Sequence, residues 1–288
     1  MYPALEAAWA KYNKAARELS VLRDNAQRFV EREPYRVDFE LSRDGGWWVA
    51  RTRIVEEPPP IFGVLVGSIA HQCLSALNHV IWELAARKIG ARNAEARKFK
   101  INFPIARSES KFQNYEVLEC VSKPARFALE AIQPYHRQPM AQHGRIQHPL
   151  FLIQEWANAD KHRVLAASYG SVALRPLLSG EAVAFDDPAS GPTFERLLPD
   201  KRRERVLKDG TPLVRVRFKA GNERANVRME PQPTAELAFS SDTWAGMNLM
   251  SVGNMVATTD SCIDRLAHLF PKQSWPPDSH DPTSPYTW

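Results

Sequence analysis

Cysteine is scarce in this chain: Cys73, Cys120 and Cys262 are the only three in 288 residues, and no CxxC pair occurs. An odd, widely spaced set excludes a disulfide framework and a zinc ribbon and leaves reduced thiols in a cytoplasmic protein as the expectation. Charge of one sign is in small excess, +5 overall. That permits contact with nucleic acid or acidic partners without requiring either. GxGxxG, Walker, GxSxG, HExxH and EF-hand patterns are all missing, which removes the commonest nucleotide, hydrolase and metal readings. The start, Met1-Tyr2-Pro3-Ala4-Leu5-Glu6, is amphipathic and acidic early, so no signal peptide is expected. Only one long run lacks Asp, Glu, Lys and Arg: residues 61–82, long enough to cross a bilayer. Its second half carries His71, Gln72, Ser75, Asn78 and His79, each costly in lipid, so a helix buried in protein is expected and no membrane.

What is present is ordinary globular composition, 44% hydrophobic and 25% charged, in a length that suits one large domain or two small ones. The 22 prolines cluster and act as punctuation. Apolar residues at Leu5, Trp9, Tyr12, Ala16, Leu19, Ala26 and Phe29 predict a helix over 4–32, stopped by Pro34. Tyr35, Val37, Phe39 and Leu41, then Trp48, Ala50, Thr52 and Ile54, alternate around Asp44-Gly45-Gly46 and predict a β-hairpin over 35–55. Pro58-Pro59-Pro60 continues neither strand nor helix. A long helix is predicted over 62–88 and a loop with short elements over 91–122. A short helix over 124–132 and another over 149–167, with Pro149 at its first position, come next. Strand-like pieces then flank Ser179-Gly180 and Asp209-Gly210, with one more near 234–239. Asp242 has the character of an N-cap for a last helix ending near Phe270.

The expected fold class is therefore α+β: a helical bundle with an N-terminal β-hairpin and an antiparallel β insertion before the last helix. The expected organisation is a helical core with hairpin over 1–170 and an antiparallel β region over 171–240. A C-terminal helix over 241–271 packs on the core, and a disordered tail occupies 272–288.

Two helices carry the chemistry. At 100° per residue, Val66, Ile69, Ala70, Cys73, Leu77, Val80, Ile81 and Leu84 share one side of the long helix. The other side holds His71, Ser75, Asn78, His79 and Trp82, with no Lys, Glu or Arg until Glu83. A solvated face normally carries such charges, so this face is expected to pack against protein through a polar network. His79, with His71 and Asn78, is a candidate pocket group, since imidazole serves as acid, base or ligand near neutral pH. On the helix over 149–167, Leu152, Ile153, Trp156, Ala159, Asp160 and Arg163 form one stripe, which aims charge where apolar residues belong. Asp160 is expected to orient an imidazole of the long helix, while Arg163 or Lys161 binds an anion such as phosphate. Asn158 and His162 complete the candidate binding set. The alternative is a buried Asp160–Arg163 clamp that fixes an interhelical angle. A metal is not expected: His71 and His79 lie two turns apart, and His143 and His148 have no carboxylate nearby in sequence. The run Lys201-Arg202-Arg203-Glu204-Arg205 is expected to be a solvated loop.

The stretch Gly67-Ser68-Ile69-Ala70-His71-Gln72-Cys73-Leu74-Ser75-Ala76-Leu77-Asn78-His79 resembles a family of bacterial proteins whose helix after a proline run reads G-D-x-x-H-N-L-R-S-A-L-D-H. Phe103-Pro104-Ile105, Gln133-Pro134-Tyr135, His148-Pro149-Leu150 and Asn158-x-Asp160-Lys161-His162-Arg163 extend the likeness over most of residues 1–170. That family's R-S-A-L-D-H in turn is similar to the Arg-x4-His pattern of HEPN ribonucleases, helical and often dimeric, in which Arg and His act on RNA phosphate at a dimer cleft. Here Leu74 stands in place of the Arg and Asn78 in place of the Asp. Arg137 and His143, in a proline-containing loop, have five residues between them, one more than that spacing. The resemblance implies RNA or another phosphate-bearing ligand as partner and a homodimer, with His79 as acid–base group and Arg163 and Lys161 on phosphate. It implies no cofactor. Two other readings stay open: a non-enzymatic interaction or scaffold protein whose polar helices lock the fold, and a metal-dependent small-molecule enzyme.

Overall fold

Helix α1 (Glu6–Val30), just after buried Leu5, buries Leu19, Ala26 and Phe29 as the periodicity announces, together with Ala8, Ala15 and Leu22, while the expected Trp9, Tyr12 and Ala16 are half-buried; it ends before Glu33 (φ 51°) and Pro34. In this computed structural model the described residues are 5–42, 47–136, 148–160, 166–172, 193–196, 208–217, 235–240 and 247–270. The strand-like piece expected after Ser179-Gly180, the turn at Asp44-Gly45-Gly46, the basic run 201–205, Arg137, His143 and the tail lie outside them. The fold class is α+β.

The chain divides into two compact units. The first contains Met1–Leu19, Gly67–Lys161 and Gly253–Trp288; the second contains Ser20–Val66 and His162–Val252. In the second unit, β1 (Tyr35–Leu41) and β2 (Trp48–Ile54) pair antiparallel from Tyr35↔Ile54 to Leu41↔Trp48. Strand β2 also pairs with β5 (Pro212–Arg217), and β4 (Thr193–Arg196) closes the sheet in the order β1-β2-β5-β4. The hairpin thus shares a sheet with the β region, whereas its place in the sequence groups it with the helices. Asp209-Gly210 makes the join: Asp209 accepts from Ile54 N at 2.8 Å, and Gly210, at φ 75°, donates to Thr52 O at 2.7 Å. A second sheet, β3-β6-β7, comprises Ala166–Val172, Ala235–Ser240 and Met247–Asn248.

The first unit is built on α2 (Ile61–Ile89), of which residues from Gly67 onward belong to it. By length and hydropathy alone α2 could cross a bilayer, but 56% of its most apolar window is buried inside the protein. Ile69, Ala70, Cys73, Leu77, Val80, Ile81 and Leu84 are all buried, as the periodicity predicts, and Ala76 and Ala85 are buried beside them. Past Gly90 (φ 83°) the chain forms α3 (Ala91–Ala96), a helix where the sequence suggests loop, and a 3-10 turn at Lys98–Lys100. Then follow α4 (Glu109–Gln113), α5 (Val117–Cys120) and α6 (Lys123–Ala131), the last capped by Ser122. Buried Gln133 clamps the intervening loop, donating to Pro104 O and Leu129 O (3.0 Å each) and accepting from Ala106 N (2.8 Å). Helix α7 (Pro149–Asp160) starts at the proline as expected, and since β3 begins at Ala166 the helix does not reach the expected 167.

Helix α8 (Leu249–Ala267) is capped by Asn248, whose Oδ1 accepts from Ser251 N at 3.1 Å. Asp242 lies outside the described residues, seven positions ahead of the helix start. Within the first unit Cys73 packs near Thr259 of α8, and burial pushes its thiol up to about 12, an effect that hydrogen bonding with Thr259 partly offsets. All three cysteines are buried, and none forms a disulfide.

Candidate functional site

Ser75, Asn78, His79 and Trp82 fall on the side of α2 opposite its buried stripe, and Ile101 faces them from the chain after the 3-10 turn. Together they line an open cleft of about 260 Å³. All four helix residues are half-buried, so the polar face does pack partly against protein there. His71, two turns earlier, is exposed and stands apart from the cleft. Asn78 has a structural role, for its Oδ1 accepts from Phe103 N at 2.8 Å and holds the extended loop that leads out of the cleft wall. An amide oxygen satisfies that N–H without a charge, which the Asp of the resembling pattern would have brought.

The residue that sequence reasoning missed is Glu83. It follows His79 by one helical turn and is half-buried, and burial raises its carboxyl above the ordinary range. The charges of His79 and Arg87 oppose that rise, which places both close enough to act on the carboxylate. Ser75, His79, Glu83 and Arg87 therefore occupy successive turns of one ridge: hydroxyl, imidazole, carboxylate and guanidinium in a row. Arg87 also lies over the Phe270 ring at 5.1 Å. The signal is present in the sequence as a fourfold spacing, His79-x3-Glu83-x3-Arg87. It is easily passed over when the partner of the imidazole is expected on another helix.

Asp160 does not reach this site. Gly67 of α2 has no side chain, and Asp160 occupies that space: a Cβ added at Gly67 would collide with the carboxylate and lie 3.0 Å from Asp160 Cβ. His79 is twelve residues farther along α2, about 18 Å of helix rise at ~1.5 Å per residue. No side-chain rotation brings the Asp160 carboxylate to the imidazole across that span. The expected orienting pair is corrected accordingly: Asp160 serves the crossing of α7 on α2. Asn158 is exposed on α7. Lys161, His162 and Arg163 lie outside the described residues. The ion pair that α7 makes among the described residues is Arg107–Glu155 at 3.0 Å, with the Arg107 guanidinium 4.5 Å from the Phe151 ring centroid. Burial raises the Glu155 carboxyl and Arg107 draws it back down.

A second set of ionisable groups gathers in the first unit around Tyr12. Asp260 is raised by burial and by Asp264, and its hydrogen bond with Tyr12 opposes the shift. The Tyr12 hydroxyl is raised by burial and by Asp260 in turn. These groups engage one another. Among the described residues no group of three His, Cys, Asp or Glu side chains is placed to hold a metal ion.

Comparison with protein-family models, with curated proteins and with solved structures gives no match for this chain.

Proposed function

We propose that the protein binds single-stranded RNA, with the cleft over His79 as the contact site. The observation that carries this reading is the lining of that cleft: an indole, an imidazole, a hydroxyl and an amide at one opening. Flat, partly exposed rings beside hydrogen-bonding groups suit an unstacked base, whose faces and edges need both. The likeness to HEPN ribonucleases supports the same ligand class. His79 is the acid–base group of the cleft. Glu83 stands one turn from it on the same helix, and Arg87 takes the phosphate-binding role for which the sequence nominates Arg163. The spacing of His79 and Glu83, one helical turn apart on the same ridge, sets a carboxylate beside the imidazole, an arrangement that suits the cleaving form of this reading.

The test is RNA binding and cleavage by the intact protein beside His79→Ala. A labelled unstructured RNA is expected to bind the native chain and to bind the variant at least several-fold more weakly. Cleavage, if it occurs, disappears in the variant. Equal binding by both removes the cleft as the contact site.

The scaffold reading is favoured by one specific fact: Asn78 is spent on the Phe103 backbone and Asp160 on a helix crossing. Under it the native protein retains no RNA at all.

A further inference from the structure

The Lys and Arg residues of this chain are unevenly spread. Between positions 87 and 100 stand Arg87, Lys88, Arg92, Arg97, Lys98 and Lys100 against the single acid Glu95. That surplus of five equals the formal net charge of the entire chain, so the remainder is formally neutral. The segment ends in the 3-10 turn Lys98-Phe99-Lys100, and Phe99 is 87% exposed, the most exposed large hydrophobic side chain among the described residues. The next residue but one, Ile101, lines the cleft over His79. The Cα atoms of Phe99 and Ile101 are separated by at most about 7.6 Å.

The phenyl ring between two lysines presents an apolar face with a cation on either side in sequence. The cations beside it are only loosely engaged. Lys98 pairs with Glu95 at 2.7 Å, Lys100 with Glu116, and Arg97 reaches Glu119 at 4.0 Å, all between side chains more than half exposed. Exposed pairs of this kind contribute little and are readily exchanged for phosphate. Lys88 is different: it donates to Glu119 O at 3.2 Å and Val121 O at 3.0 Å and holds the end of α5. Arg92 is exposed on α3 and makes no ion pair among the described residues. The Lys98 ammonium sits 5.7 Å from the Phe99 ring centroid, and the ring's exposure leaves room for a second planar group.

From this arrangement, and resting on the RNA reading above, we infer that Phe99 is a stacking platform for one base of a single-stranded RNA, with Lys98, Lys100 and Arg92 holding the flanking phosphates. The strand then runs from Phe99 past Ile101 into the cleft, where the neighbouring nucleotide meets Trp82 and His79. Interleaved cations and a ring are the elements by which unstructured single strands are gripped without sequence preference.

The experiment is an anisotropy titration of labelled oligouridylate, repeated across a salt series and with heparin as a base-free polyanion. Phe99→Ala, Phe99→Tyr, Lys98→Ala/Lys100→Ala and His79→Ala are compared with the native chain. Phe99→Ala is expected to bind RNA about tenfold more weakly with an unchanged salt slope, and Phe99→Tyr to restore binding. The double lysine variant is expected to lose about 1.4 from the slope of log affinity against log salt. Heparin binding should follow the lysines and ignore the ring. Native-like RNA binding by Phe99→Ala, with binding lost in His79→Ala, overturns the platform and leaves the cleft reading standing. Absence of RNA binding in the native chain overturns both. Equal losses of heparin and RNA binding in Phe99→Ala also overturn the stacking role.

Discussion

Helix α2 has two stretches that meet polar groups in different ways. Near Gly67 another helix comes so close that a carboxylate fills the place of a side chain. From Ser75 to Trp82 the same helix borders an open cleft. At the first stretch the carboxylate of α7 sets a crossing height; at the second the side chains of α2 itself border the opening. A polar helix face therefore has no single meaning, and what decides is the size of the residue beneath the neighbouring helix. Glycine closes the contact at one end, while a row of medium and large side chains holds the other open.

The largest effect expected from breaking this contrast is at the closed end. Gly67→Ala should lower stability by about 2 kcal/mol through overpacking against Asp160, even though alanine favours helix. In an Asp160→Ala background the same change should be close to neutral, measured by denaturant unfolding of the four proteins in the cycle. A full loss in both backgrounds would show that Asp160 does not occupy the crossing. At the open end the expected effects separate by residue. Asn78→Ala should cost about 1–2 kcal/mol, because Phe103 N loses its acceptor. His79→Ala should stay within about 0.5 kcal/mol of the native chain, as for side chains outside the core. Similar losses from both would make His79 a structural residue.

Much of the fold was legible. The helix α1, the stripe of α2, the hairpin, the proline start of α7 and the strand near 234–239 follow from periodicity and turn chemistry, which act locally. What escaped is non-local. Periodicity gives the face of each helix but not the height at which two helices cross, so Asp160 and His79 both point inward by spacing and meet different parts of the fold. Likewise the alternation of Trp48, Ala50, Thr52 and Ile54 announces a strand without naming β5 as its second neighbour, a pairing fastened by Asp209 from far along the chain. The candidate site was half legible: Ser75, Asn78 and His79 line the cleft, while Glu83 and Phe99 were overlooked. In sequence Glu83 reads as the end of the charge-free face, although its spacing from His79 makes it the nearest acid on the ridge.

A smaller effect concerns pH. Burial raises the Glu83 carboxyl, so the native state binds this proton more tightly than the unfolded chain. Its contribution to stability is fully present below the ordinary value of 4.5 and declines as pH rises through the raised value. Glu83→Gln should remove that decline. Denaturation midpoints followed from acid to neutral pH check it, and parallel profiles for the two proteins would mean that the carboxylate is fully solvated.

The most direct measurement places the two ends of α2 side by side: affinity for one unstructured RNA in His79→Ala and in Asp160→Ala, each at a temperature where the variant is fully folded. Binding through the cleft predicts weakened affinity in the first and native affinity in the second. Native binding in His79→Ala with loss in Asp160→Ala would contradict it.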